Sequence, residues 1–166
     1  MTYYSRKATR IPGFDYASVN SYFLTICTYE RECIFGGPGK LNVFGQIARE
    51  HILQLSTRHK HIYVEKFVVM PNHIHMILVK EKENSLSIPT LISLYKAGVT
   101  REIRSHRPGM KVWQRSFHDH IIRDLHGYEK IWLYIENNPL KWEEDCFYCK
   151  SQSAERQGGM NPSPTE

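Results

Sequence analysis

The sequence predicts an α+β fold: a two-layer sandwich with a central antiparallel sheet and helices on one face. Three observations lead there. Apolar residues switch between period-two and helical spacing in the order strand, helix, strand, strand, helix, strand, helix. The middle two strands are separated only by Pro71-Asn72, a tight-turn dipeptide that joins antiparallel neighbours. A chain of 166 residues, 41% hydrophobic and 12% aromatic, can bury a single core.

Each element has its own justification. Ser21 to Tyr29 is rich in β-branched and aromatic residues and stops at Arg31-Glu32, which predicts a strand; the GGPG run from Gly36 to Gly39 is a loop. From Leu41 to Leu55 the residues Phe44, Ile47, Ala48, His51, Ile52 and Leu55 recur at helical spacing and give an amphipathic helix. Ile62 to Met70 and His73 to Lys80 are the paired strands. Ser87 is a helix cap with Pro89 in the first turn, and Ile88, Ile92, Tyr95 and Val99 form the buried stripe that follows. After the break at Arg107-Pro108-Gly109, Lys111 to Ile122 reads as extended, and a final helix runs from about Glu129 to Asn137. A ferredoxin-like or RNA-recognition-like core accommodates this order.

Residues 1–150 are expected to form one domain. Its first sixteen residues are a basic, tyrosine-rich arm without a periodicity that buries one face, and residues 151–166 are too poor in apolar groups to fold. The formal charge of +5 and pI near 9.0 point to an anionic partner such as nucleic acid. No run approaches the roughly 20 apolar residues of a membrane helix, and the N-terminus has no secretory signal, so a cytoplasmic protein with no membrane partner is expected. Of the four cysteines, Cys146 and Cys149 form one CxxC, half of the usual zinc-ribbon pair; all four are expected to be reduced thiols.

Chemistry concentrates in FVVMPNHIHMILV, Phe67 to Val79. Alternate side chains of a strand share a face, so His73 and His75 point the same way, and two imidazoles at a fixed separation are most of a divalent-metal site. In the last helix Tyr134 and Asn138 are four residues apart and share a face with Lys130. An amide oxygen is a hard donor suited to magnesium or manganese, and two histidines with one such oxygen leave positions for a phosphate and water.

Three blocks, VVMPNHIHMIL (68–78), WQRSFHDHIIR (113–123) and YIENNPLKW (134–142), resemble the HUH single-tyrosine DNA transposases, and among them the REP-associated tyrosine transposases. The strand entry SYFLTICTYERECIF fits as well, so the likeness spans about Tyr3 to Asp145. The resemblance implies a metal-dependent enzyme that cleaves and rejoins single-stranded DNA at or near hairpin, REP-like sequences through a 5′-phosphotyrosine. It implies Tyr134 as nucleophile, His73, His75 and Asn138 as ligands of Mg2+ or Mn2+, and a monomer or homodimer. In insertion-sequence relatives the position of Asn138 is often glutamine. Tyrosines and cations of the arm (Tyr4, Arg6, Lys7, Arg10), together with Lys96, Arg101, Arg104, Lys111 and Arg115, are candidates to contact bases and phosphates. Lys130 is placed to lower the Tyr134 pKa.

Other readings stand beside this one. His118-Asp119-His120 is a second HxH that, with His73 and His75, would make a zinc hydrolase. Tyr128 and Tyr148 compete as nucleophile, though neither has an amide one turn later. A non-catalytic nucleic-acid-binding module would use the sheet face, but the expected aromatic pattern is missing. Trp113 is a base-stacking platform or a core residue.

Overall fold

The computed structural model describes residues 20–82 and 86–148. The basic arm before Asn20, the tail from residue 151 and Cys149 lie outside the described residues. Four strands form one antiparallel sheet in the order β4-β5-β1-β6: β1 (Asn20–Cys27), β4 (Ile62–Val69), β5 (His73–Lys80) and β6 (His118–Ile122). The GGPG loop is the turn of a two-residue ribbon, β2 (Gly36–Gly37) with β3 (Lys40–Leu41).

The helices are α1 (Val43–Leu53), the single turn α2 (Leu55–Arg58), α3 (Ile88–His106) and α4 (Leu125–Asn137). Their caps are local. Asn42 accepts from the amides of Phe44 and Gly45, Ser87 from Thr90, and Asp124 from Gly127.

Strand alternation divides the molecule. Tyr22, Leu24 and Ile26 of β1 and Ile74, Met76 and Leu78 of β5 form one core with the buried stripes of α1 and α3, including Ile52, Tyr95 and Val99. The opposite face carries Phe23 and Thr25 of β1 and His73, His75 and Ile77 of β5, and α4 crosses it with Ile135 buried. Strand β5 is therefore covered on both sides, and nearly every residue of it is buried, the apolar run Ile74 to Val79 being broken only by His75.

Three expectations change. The helices are expected on one face of the sheet, but α4 lies on the face opposite α1 and α3, against Phe23 and His75. Only His118–Ile122 of the run from Lys111 is a strand; the preceding residues form an irregular segment with one bridge, Thr28 to Trp113. Val112 and Phe117 are nevertheless buried, so the apolar signal there belongs to loop packing. Cys33 is in a disulfide, which corrects the expectation of four reduced thiols; Cys27 and Cys146 are free. Sequence spacing carries no information on which sulfurs the fold brings together.

Candidate active site

His73 is the first residue of β5 and His75 the third, and their rings lie 4.5 Å apart between centroids on the α4 side of the sheet. Both are buried. A side chain orients each ring. His73 Nδ1–H donates to Asn72 Oδ1 (2.9 Å). Asn72 can only accept at that atom, because its amide nitrogen donates to the carbonyls of Arg31 (3.1 Å) and Phe147 (2.7 Å). That leaves a lone pair on His73 Nε2. Nδ1 of His75 is 2.8 Å from Thr25 Oγ1, and donation there leaves the Nε2 lone pair as an acceptor facing Tyr134. Burial holds the His73 pKa down at about 4, partly opposed by the Asp145 carboxylate. Burial and the neighbouring His73 take His75 to about 2. Both rings are neutral at pH 7, the form a metal needs.

The turn beyond β1 helps to build this corner. Glu30 and Arg31 have φ of 49° and 57°, left-handed values that cost a non-glycine residue free energy, and this geometry brings the Arg31 carbonyl to Asn72. The Arg31 guanidinium lies 4.8 Å from the centre of the Phe147 ring, and that ring is 4.5 Å from His73.

Helix α4 supplies the tyrosine. The Tyr134 hydroxyl is 3.3 Å from His75 Nε2, its ring stands edge-on to Phe23 (6.1 Å), and it is 44% exposed. Ile135 anchors the helix, a burial worth about 1.5–3 kcal/mol. On its outer side Tyr128 donates to Glu65 (2.6 Å), while Lys66 pairs with Glu136 (2.8 Å) and covers Trp132. These exposed contacts contribute less, up to about 1 kcal/mol each. Glu65 sits at a bulge in β4, between Val64 and Lys66, which turns consecutive charged residues towards the helix.

Asn138 keeps helical dihedrals (φ −56°, ψ −43°) although Pro139 follows, so Tyr134 and Asn138 remain one turn apart on one face. Its amide nitrogen donates to Asp145 Oδ2 (2.9 Å), which fixes the side chain and leaves Oδ1 buried without a partner. His73 Nε2 is the second buried polar atom here without a partner, 3.9 Å from Asp145 Oδ2.

Sequence reasoning missed Asp145. Its side chain is 2% exposed, and it offers an oxygen within 4.8 Å of ligand atoms on His73 and His75. Its Oδ1 accepts the Phe147 amide (2.7 Å). Nothing periodic marks it, and Glu143 and Glu144 beside it are exposed carboxylates of the same chemistry. Two neutral imidazoles, the orphaned Asn138 Oδ1 and a buried carboxylate make a donor set that fits a divalent cation.

The Tyr134 phenol is pushed above its ordinary value by burial first, then by Asp145 and Cys146, with the Asn138 side chain pulling the other way. Lys130 is not among the causes, so the downward pull expected of it is absent. Lys130 instead lines, with Lys141, a cavity of about 550 Å³ beside Tyr134, Asn138 and Asp145.

The other candidates lie elsewhere. Lys96, Arg101 and Arg104 line a separate cavity of about 520 Å³ on α3, which packs on the opposite face of the sheet. Lys96 donates to the carbonyls of Gln114 and Ser116, and Arg104 through Nε to Met110. Lys111 lies over the Tyr29 ring, and Arg115 is exposed. Tyr4, Arg6, Lys7 and Arg10 fall outside the described residues. His118 and His120 are exposed on β6, and no grouping of them with His73 and His75 occurs among the described residues. Tyr128 is committed to Glu65, and Trp113 packs on Phe35 and Tyr95 with its indole N–H on the Lys96 carbonyl, a core role.

Residues 18–138 match the family described as "Transposase IS200 like". An uncharacterized protein of Haemophilus influenzae is 32% identical, over 86% of this chain and 93% of its own length. Among solved structures, a REP-associated tyrosine transposase bound to a REP hairpin is similar in fold, with a TM-score of 0.55 at 22% identity, covering 85% of this chain and 74% of that one. A Deinococcus radiodurans protein follows with a TM-score of 0.52 at 19% identity, covering 77% of this chain and 95% of that one.

Proposed function

The chain belongs to the IS200-like transposase family, and we propose that it cleaves and rejoins single-stranded DNA at or near hairpin sequences, with Tyr134 as nucleophile and His73, His75 and Asp145, joined by Asn138 Oδ1, as the holders of Mg2+ or Mn2+. The observation that carries this reading is the convergence of the Tyr134 hydroxyl, the two histidine Nε2 atoms and the Asp145 carboxylate within one chain.

A bound divalent cation would supply Lewis-acid withdrawal of charge from the scissile phosphate. The protein does the rest. Tyr134 attacks phosphorus in line, the bond from phosphorus to the DNA 3′ oxygen breaks, and that oxygen leaves as a hydroxyl after taking a proton. The phenol proton departs to water, which reaches the half-exposed ring. The resulting phosphotyrosine keeps the phosphodiester bond energy, so a second 3′-hydroxyl can reverse the step on another strand without ATP. Asn72 and Thr25 hold the imidazoles so that Nε2 of each faces the site. Burial and then the Asp145 carboxylate push the Tyr134 phenol above its ordinary value in the free protein, and the same negative charge favours a cation beside it.

The test is a covalent protein–oligonucleotide complex, resistant to denaturation, formed from a hairpin with single-stranded flanks in Mg2+ or Mn2+. Tyr134→Phe is expected to abolish it while leaving hairpin binding intact. Free ends without a covalent band would point to hydrolysis instead.

A further inference from the structure

The cavity beside Tyr134 is built by two adjacent ridges of α4 and the turn that follows it. One ridge carries Lys130, Tyr134 and Asn138; the other carries Leu133, Asn137 and Lys141. Asn137 is tied back to the Leu133 carbonyl (2.9 Å), and Leu133 is 58% exposed at mid-cavity. Lys130 and Lys141 are exposed at either end, and neither makes an ion pair among the described residues. The acidic lining is Glu144, which is exposed, and Asp145, whose carboxylate is turned inward to Asn138 and the Phe147 amide. Two cations about an apolar and amide middle match the repeat of a single strand, in which phosphates alternate with a base that seeks an apolar surface.

The direction of the strand follows from the chemistry. In-line attack sends the leaving 3′ oxygen away from the phenol, hence away from α4. The strand that remains joined to Tyr134 through its 5′ phosphate stays beside α4, where the cavity is.

Resting on the tyrosine-nucleophile reading above, we propose that this cavity holds the DNA strand running 3′ from the broken bond, with Lys130 and Lys141 on its first phosphates and Leu133 under a base. This strand site is separate from the basic residues of α3.

The experiment uses the full chain carrying Tyr134→Phe, so that binding is measured without reaction. The probe is a random-sequence pool of single-stranded pentanucleotides, 5′-phosphorylated in one preparation and 3′-phosphorylated in another. The 5′-phosphorylated pool is expected to bind more tightly. Adding Lys130→Ala and Lys141→Ala should weaken that pool roughly fivefold or more and lower the slope of log affinity against log salt by about 1.4, near 0.7 for each lost phosphate contact. The 3′-phosphorylated pool, which offers only internal phosphates there, should be weakened less. No preference between the pools, no loss in the double variant, or equal loss on both pools would overturn the proposal. Failure to form a covalent complex in the unsubstituted protein would count against the nucleophile reading alone, because these affinities do not depend on chemistry.

Discussion

The hydroxyl of Tyr134 lies 3.3 Å from Nε2 of His75, a residue 59 positions away in the same chain. One lone pair cannot both accept that hydroxyl and ligate a cation. Loading the site with Mg2+ is therefore expected to break this hydrogen bond and change the ring environment of Tyr134. In protein with 13C-labelled tyrosine, one ring resonance, identified by its loss in Tyr134→Phe, should shift on titration with Mg2+. A Tyr134 signal that stays in place while the metal binds contradicts the shared lone pair.

Asp145 and Glu144 are neighbours in sequence with opposite surroundings, one buried against His73 and one exposed. Asp145→Ala should weaken Mn2+ binding by more than the roughly 10-fold that loss of a ligand's supporting partner costs, and Glu144→Ala should leave it within twofold of the starting value, as measured by calorimetric titration. Equal effects of the two substitutions would remove Asp145 from the ligand set.

Asn72 bonds the His73 ring and two backbone carbonyls, from Arg31 and Phe147, from a fully buried position. Asn72→Ala leaves several of these groups without partners, which costs about 1–3 kcal/mol for each unsatisfied group. Urea denaturation should show a fall in stability of at least that size, and Mn2+ affinity should fall as well because nothing then fixes the His73 tautomer. Unchanged metal binding in a folded Asn72→Ala protein would count against the orienting role.

Acid stability gives an independent check. Burial lowers His73 to about 4 and His75 to about 2, whereas both titrate near 6.5 in the unfolded chain. Below pH 6.5 the unfolded state takes up protons that the folded state refuses. Stability contributed by these rings is therefore full above 6.5 and lost as pH falls from 6.5 towards 4, at about 1.4 kcal/mol per pH unit for each ring once its unfolded form is fully protonated. The urea midpoint of the metal-free protein should drop steadily over that window, and His75→Phe should flatten the drop. A midpoint independent of pH between 6.5 and 4 would show that the rings are not neutral by burial.

Much of this was legible in the sequence, for identifiable reasons. The sequence places β4 and β5 to within a residue because their period is strong and Pro71-Asn72 interrupts it cleanly. The histidine pair followed from strand alternation, and the pairing of Tyr134 with Asn138 from helical spacing. The sequence puts the start of α4 four residues late, because Gly127 reads as a break, whereas Asp124 caps the helix and Gly127 donates to that cap. Asp145 was illegible for another reason. It belongs to neither a strand nor a helix, and only the tertiary contacts with Asn138 and Phe147 separate it from the exposed glutamates beside it. The basic residues of α3 show the converse limit, since Lys96 and Arg104 look like free cations in sequence and yet brace the 110–116 segment through its carbonyls.

The most direct measurement is peptide mapping by mass spectrometry of protein incubated with a flanked hairpin oligonucleotide and Mn2+. A peptide in which Tyr134 carries a 5′-linked nucleotide is expected, absent when chelator is added. An adduct on Tyr128 or Tyr148, or cleaved DNA with no adduct on any tyrosine, would contradict it.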